Sequence, residues 1–279
     1  MNMRVVYVPE LAEVETVRNT LKKRILNKKI VNVNIVYGKM IENDLEEFKN
    51  ILLNNEFKDI LRVGKWLIFE LNNHYLLSHL RMEGKYFIKD SFDDIQKHES
   101  VIISFNDGTD LRYHDTRKFG RMKIVKKEYL WDTEEIKKQG KEPIDSTLSK
   151  KYLKDKLNNK KMPIKTALLD QTIISGLGNI YVNEVLFDAK INPLRESNSI
   201  TLAECEKIVN SSRKIISKAI EEGGTTIKSY TSSLGVIGNY QNYLKVHMKE
   251  GQKCPNCTNA IKRIKIGGRS TYYCDICQK

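Results

Sequence analysis

Cys254-Pro255-Asn256-Cys257 and Cys274-Asp275-Ile276-Cys277 stand near the end of the chain with the spacing C-x2-C-x16-C-x2-C. A C-x2-C knuckle brings two sulfurs to one ion from a single tight turn, and two knuckles complete the tetrahedral thiolate shell of a structural zinc site. The intervening residues suffice for a short hairpin with Gly267-Gly268 at its tip, flanked by Ile264, Ile266, Tyr272 and Tyr273. Four sulfurs leave no open position for chemistry. One structural Zn2+ is therefore expected, holding a segment too short to fold alone. Lys262, Arg263, Lys265 and Arg269 lie between the knuckles. They either offset the negative thiolate shell or face an anionic partner, and Arg269, beside the tip, is the best placed to reach a nucleic acid.

The whole chain has 279 residues, with 48 Lys plus Arg against 35 Asp plus Glu, a formal net charge of +13. No apolar run approaches the roughly 18 to 20 residues of a membrane-spanning helix, and the length suits about two domains with real cores. The positive surface points to an anionic polymer or phosphate. Residues 1–8 carry one Arg and no apolar region of signal-peptide length, so a cytoplasmic location is expected, where clustered thiols take metal. The fifth cysteine, Cys205, falls in an amphipathic stretch and reads as a small core residue.

Towards the N-terminus, Val14, Val17, Leu21 and Ile25 share one face of a helix over 13–25. Period-two patterning then predicts strands at 31–35, 61–71, 75–80, 101–105 and 121–125, with a helix over 44–54 between them. A polar connector follows Trp131. Beyond it, helices are expected at 149–157, 164–171, 179–189 and 201–222. The segment Ser175-Gly176-Leu177-Gly178-Asn179 joins two of them through a glycine-bearing turn. The opening amides of a helix, with its dipole, can hold a phosphate to which the Asn179 side chain adds a donor; Asn179 as a plain N-cap is the other reading.

Pro9-Glu10-Leu11-Ala12-Glu13-Val14-Glu15-Thr16 resembles the N-terminal PELPEVET signature of bacterial formamidopyrimidine-DNA glycosylases. Lys65 in Val63-Gly64-Lys65-Trp66, the run His79-Leu80-Arg81-Met82-Glu83-Gly84-Lys85 and Tyr113-His114-Asp115-Thr116-Arg117-Lys118-Phe119-Gly120 are similar to further motifs of that family, as are the glycine turn and the thiol ribbon. The resemblance implies an α+β multidomain fold. An N-terminal β-sandwich with flanking helices would occupy 9–131, a linker 132–148, a helix-two-turn-helix domain 149–245 and a zinc-finger ribbon 246–279.

It also implies a monomeric bifunctional DNA glycosylase and AP lyase acting on oxidised purines in damaged double-stranded DNA. Pro9 then corresponds to the nucleophilic N-terminal imine-forming amine, Glu10 to the proton donor and acceptor at the sugar, and Glu13 to a supporting acid. Lys65 corresponds to a lysine of phosphate binding and elimination. Arg269 and Asn179 correspond to the pair gripping the phosphates beside the lesion, and His98 and Lys160 to further DNA contacts. Met82, Arg117 and Phe119 match the wedge that fills the hole left by an extruded base. On local sequence alone Met82 and Phe119 read more readily as core. Thr225, Thr226, Ile227, Lys228, Ser229 and Tyr230 resemble the loop that caps the lesion.

Three departures bear on these expectations. Val8 precedes Pro9, and a proline nitrogen inside a peptide bond cannot attack a sugar. Val8 is accordingly expected to be the true initiator, with the mature enzyme beginning at Pro9. Ala12 replaces the second proline of the signature, and Ser100 stands where relatives often carry a second His. Two rival readings remain: an endonuclease VIII-like enzyme for oxidised pyrimidines, and a zinc-ribbon DNA-binding protein without activity should Pro9 stay acylated.

Overall fold

Apolar residues at three- and four-residue spacing give helix α1 (Leu11–Ile25), whose Leu11, Val14, Leu21 and Ile25 are wholly buried. The computed structural model describes residues 8–225 and 238–279. After α1 come β1 (Ile30–Ile35), α2 (Leu45–Leu52), β2 (Asp59–Val63), β3 (Trp66–Glu70), β4 (His74–His79), β5 (Lys85–Asp90), β6 (Glu99–Phe105), β7 (Thr109–His114), β8 (Arg121–Lys126) and α3 (Glu134–Lys137). The strands form two antiparallel sheets, ordered β1-β6-β7-β5 and β2-β3-β4-β8.

Side chains from the two sheets, α1 and α2 interdigitate in one core. Phe57 meets Phe69 at 5.1 Å and Phe69 meets Tyr86 at 5.6 Å between ring centroids. Each such buried side chain contributes about 1.5–3 kcal/mol. The opposite face of the second sheet is covered too: Trp66, Ile68 and Leu77 pack with Leu130 and with Ile136 of α3. This is the expected sandwich.

Two local expectations differ. The stretch 61–71 is a hairpin rather than one strand, because Gly64 turns at φ +59 between β2 and β3. Strands β5 and β7 were not expected: β5 lacks alternation, and β7 alternates but carries charge on the face that Asp110 and Arg112 share. Those charges form a buried ion cluster: Arg112 and Asp110 are 1% and 2% exposed, and Arg112 bonds Asp110, Glu99 and the carbonyls of Asp90, Asp93 and Asp94. Burying both faces of β7 therefore needs this internal pairing of charge, which local sequence does not reveal.

The chain divides into two compact units, the first running to Lys137 and including Gly223–Gly238, the second comprising Lys138–Glu222 and Asn239–Lys279. The second unit contains α4 (Lys150–Leu157), α5 (Ile164–Leu168), α6 (Asn179–Asp188), α7 (Leu202–Glu221), β9 (Lys262–Ile266) and β10 (Arg269–Tyr273). Ser149 caps α4, and Thr201 with Glu204 forms a capping box on α7. Cys205 is buried in α7, as a core residue should be. Gly267 and Gly268, at φ +55 and +78, form the two-residue turn of the β9–β10 hairpin. Among the described residues no helix is long and apolar enough to cross a membrane.

Buried polar groups fasten the ribbon's approach to α6. Glu184 accepts from the backbone N–H groups of Lys245, Val246 and His247, and burial raises its pKa. Asn183 Nδ2 lies 2.8 Å from His247 Nδ1. Burial, and then the Lys165 charge, push the His247 pKa down to about 3. A histidine depressed below its unfolded value near 6.5 gives stability that is whole above about pH 6.5 and lost as pH falls towards 3. Acidification from pH 7 to 5 is thus expected to cost about 2 kcal/mol through this one group. Urea titrations at both pH values should show that loss in the native chain and lack it in His247→Gln. An equal loss in both would contradict it.

Candidate active site and nucleic-acid interface

Pro9 is buried immediately before α1, and Glu10, its N-cap residue, is 2% exposed. Glu13 folds back so that its Oε2 accepts from Glu10 N at 3.0 Å. Its other oxygen, Oε1, accepts from Thr225 N at 2.8 Å and Thr225 Oγ1 at 2.9 Å. One carboxylate therefore ties the Pro9–Glu10 junction to the segment after α7. Gly224 makes this approach possible: at φ +76, a Cβ there would lie 2.9 Å from Glu13 Oε1. Thr226 to Tyr230 lie outside the described residues.

Lys65 occupies the β2–β3 turn. That turn is held to α1 by Arg62, which donates through Nε to Glu15 Oε2 at 2.7 Å and through Nη1 to Gly64 O at 2.9 Å. The Arg62 and Glu15 side chains are 5% and 11% exposed, so the pair is shielded and directional.

Two loops at the sheet ends carry Met82, Arg117 and Phe119, the residues expected to form the wedge. After β4, Gly84 N donates to Leu80 O at 2.9 Å, closing a tight loop over Arg81, Met82 and Glu83. Arg81 sits at φ +53, pinned by its N–H on His79 Nδ1 at 2.9 Å. Burial, followed by the charges of Arg81, Lys65 and Arg121, pushes the His79 pKa down to about 3, which keeps the ring neutral and Nδ1 an acceptor. After β7, the fully buried Asp115 carboxylate accepts from Arg117 N, Phe119 N and Gly120 N at 2.9, 2.9 and 2.8 Å.

This cage presents Phe119 at 51% exposure, with the Arg117 guanidinium 4.9 Å from its ring centre. Lys118 between them is left-handed at φ +58. Phe119 is thus not a core residue, and Met82 is only partly buried. His98 is also left-handed, at φ +74, and its carbonyl accepts from Asp115 N. Left-handed non-glycine residues cost energy and persist where the surroundings impose them, often at functional sites. Here two stand in the motif runs 79–85 and 113–120 and the third is His98, an expected DNA contact. Ser100 Oγ turns back to His98 O at 3.4 Å and is buried.

In the second unit, Gln171 braces the glycine turn. Its amide donates to Leu169 O and Leu177 O, and its carbonyl accepts from Gly176 N. Gly178, not Asn179, is the N-cap of α6, and Asn179 makes no cap with its side chain. Asn179 Oδ1 is buried with no hydrogen-bond partner among the described residues. Lys160 follows α4, where its carbonyl accepts from Asn198 N. Arg269 is exposed at the ribbon tip. The neighbouring strand is anchored by Lys165, which is 0% exposed and donates Nζ to Ser270 O and Thr271 Oγ1, both at 2.8 Å.

The four ribbon thiols converge. All their sulfurs lie within 4.8 Å of one another, with Cys254–Cys277 at 3.9 Å and Cys257–Cys274 at 3.4 Å. A tetrahedron with Zn–S bonds of about 2.3 Å has edges of about 3.8 Å, so the shell fits one zinc ion. Such a site supplies structure rather than chemistry.

Residues 8–122 match the formamidopyrimidine-DNA glycosylase N-terminal domain, 139–231 the formamidopyrimidine-DNA glycosylase H2TH domain, and 251–279 a zinc finger found in FPG and IleRS. A formamidopyrimidine-DNA glycosylase of Ligilactobacillus salivarius is 44% identical over 272 residues, covering 97% of this chain and 99% of the relative. The chain belongs to the formamidopyrimidine-DNA glycosylase family. A Streptococcus pneumoniae member is 42% identical over 272 residues, covering 98% of this chain and 99% of that one. The Lactococcus lactis glycosylase, solved in complex with an N7-benzyl-Fapy-dG-containing DNA, superposes with a TM-score of 0.92 at 40% identity, covering 97% of this chain and all of the other. The same Lactococcus protein has been solved with an abasic-site-containing DNA, again at a TM-score of 0.92 and 40% identity, over 97% of this chain and 99% of that chain.

Beside the expected site residues, the structure gives a part to residues that motif reading left without a role. Asp115, His79, Arg62 and Lys165 touch the backbone or side chains of segments bearing expected site residues. The only sequence signal for Lys165 was a lone cation in the apolar run Ile164 to Leu169.

Proposed function

We propose that the chain is a base-excision-repair DNA glycosylase with AP lyase activity, excising oxidised purines such as 8-oxoguanine and formamidopyrimidines from duplex DNA in the cytoplasm. The observation that carries this reading is the junction at the start of α1, where Pro9 and Glu10 are buried together and Glu13 holds the backbone N–H between them. With its amine free, the Pro9 nitrogen attacks C1′ and the bond to the base breaks, while Glu10 handles the proton at the sugar. Ring opening leaves a cationic iminium. That electron sink acidifies the C2′ proton, whose loss expels the 3′ phosphate; loss of a second proton, from C4′ of the resulting conjugated iminium, then expels the 5′ phosphate.

Lys65 serves phosphate binding and elimination, and Asn179, Arg269, His98 and Lys160 hold backbone phosphates. Met82, Arg117 and Phe119 fill the vacated stack, with the guanidinium bonding the orphaned cytosine. Thr225 to Tyr230 cap the flipped base. The zinc ion, on Cys254, Cys257, Cys274 and Cys277, keeps the Arg269 hairpin in shape.

The Lactococcus relative has also been solved with an oxidised-pyrimidine-containing DNA, which supports a second reading with broader lesion choice. Single-turnover excision of 8-oxoguanine opposite cytosine should exceed that of thymine glycol by at least about tenfold, a difference of roughly 1.4 kcal/mol in transition-state binding. A reversed order would replace the purine reading with the pyrimidine one.

A further inference from the structure

The two loops bearing the expected wedge meet on one phenol. Tyr113, in β7 and 1% exposed, lies opposite Tyr86 of β5, with their rings edge to face at 5.1 Å. Tyr86 is itself fixed by its hydroxyl on Ser78 Oγ at 2.7 Å. The Tyr113 ring is therefore held from below, and its oxygen reaches up between two glycines. A Cβ built on Gly84, which closes the Met82 loop, would fall 2.1 Å from that oxygen. One built on Gly120, which ends the Arg117–Phe119 loop, would fall 2.0 Å from it. Only glycine at both places lets both backbones rest on the same atom.

At the surface the loops are joined again, by Thr116 Oγ1 donating to Glu83 Oε2. That exposed bond is weak by itself. The buried contact is the rigid one, because rings packed in a core have few alternative positions.

We propose that Tyr113 is a positioning residue: its hydroxyl is the shared stop that sets the separation of the Met82 loop from the Arg117–Phe119 loop, and so the width of the wedge that enters the duplex. The inference rests on the wedge reading of Met82, Arg117 and Phe119. A stop of this kind acts on base extrusion and on recognition of the orphaned base. It has no part in bond breaking at the sugar. Tyr113→Phe removes the oxygen and keeps the ring, so the two loops lose their common rest while the core stays filled.

The experiment compares native protein, Y113F, G120A and M82A, each with a free Pro9 amine, in single-turnover assays on duplexes with 8-oxoguanine opposite cytosine, 8-oxoguanine opposite adenine, and a preformed abasic site. For Y113F, excision opposite cytosine is expected to fall about tenfold and the cytosine-to-adenine preference to shrink at least threefold. Cleavage of the abasic site, which has no base to extrude, stays within twofold of native. G120A, which pushes the loop off the same oxygen, reproduces the fall, and the Y113F/G120A double variant loses less than the product of the two. Native excision and preference in Y113F, or a parallel loss on all three duplexes, overturns the proposal. If M82A excises as well as native protein, the wedge reading itself fails. If M82A is impaired and Y113F is not, that reading stands and only the role of Tyr113 falls.

Discussion

Protein whose Pro9 nitrogen is a free amine is expected to form a borohydride-trapped covalent adduct with a duplex containing 8-oxoguanine opposite cytosine, and protein in which Val8 still acylates that nitrogen is expected to form none. The reason is electronic. An amide nitrogen shares its lone pair with the carbonyl and is not a nucleophile. A free α-amine, with a pKa of roughly 8, is about one-tenth unprotonated at pH 7, whereas an ordinary lysine near 10.4 is unprotonated in fewer than about one molecule in a thousand. At Pro9, Glu10 is buried alongside and Glu13 fixes the intervening backbone.

Loss of the covalent route should cost on the order of 10^4-fold or more in excision, the scale on which removal of a nucleophile acts in other covalent enzymes. Both forms should bind a duplex containing a stable abasic analogue, since the residues proposed to hold phosphate are unchanged. Equal trapping of the two forms would remove Pro9 from its role. Binding by both with trapping by neither would favour the zinc-ribbon DNA-binding protein without activity.

How far the sequence carried these readings depended on whether a feature is local. The period of α1, the helix starts at Ser149 and Thr201 and the Gly267-Gly268 turn are set by neighbours in the chain, and each lies at or beside the place patterning put it. Strand β7 does alternate, through Leu111 and Tyr113, but the burial of its Asp110 and Arg112 depends on partnering residues and carbonyls on other strands and loops. The hairpin at Gly64 escaped because apolar alternation runs through the turn on both sides.

The same division applies to the candidate site. Motifs nominate Pro9, Lys65, Phe119 and Arg269 by residue type and order. What holds the chain around them is long-range: Lys165 reaches Thr271 across 106 positions, and Glu13 reaches Thr225 across 212. Nor could local reading expose Phe119, whose place outside the core depends on the Asp115 cage beneath its backbone. Arg81, His98 and Lys118 adopt φ values that their residue types disfavour, so no propensity points to them.

Replacement of Cys254 by Ser, or removal of the ion with a chelator, is expected to unfold the ribbon and weaken DNA binding while the sandwich stays intact. Cys254 and Cys274 are 1% and 0% exposed and pack with Phe187, Val246 and Ile261. That cluster is too small to order the hairpin unaided, whereas a structural zinc site supplies about 10–16 kcal/mol of folding free energy. When the hairpin melts, Lys165 loses Ser270 O and Thr271 Oγ1, its anchors on the strand that begins with Arg269.

Two consequences are measurable. Native protein should release one Zn2+ per chain to a chromophoric chelator, with C254S holding none stoichiometrically. Affinity for an abasic-analogue duplex should fall roughly tenfold to a hundredfold, the worth of one or two charge-assisted hydrogen bonds to phosphate. Salt should weaken the remaining complex less steeply, because each lost cation–phosphate contact lowers the logarithmic slope by about 0.9. The sandwich, whose core contains no ribbon residue, should keep its own unfolding transition. Unaltered affinity and salt slope in zinc-free protein would detach the ribbon from DNA binding, and collapse of both transitions together would deny the sandwich independent stability.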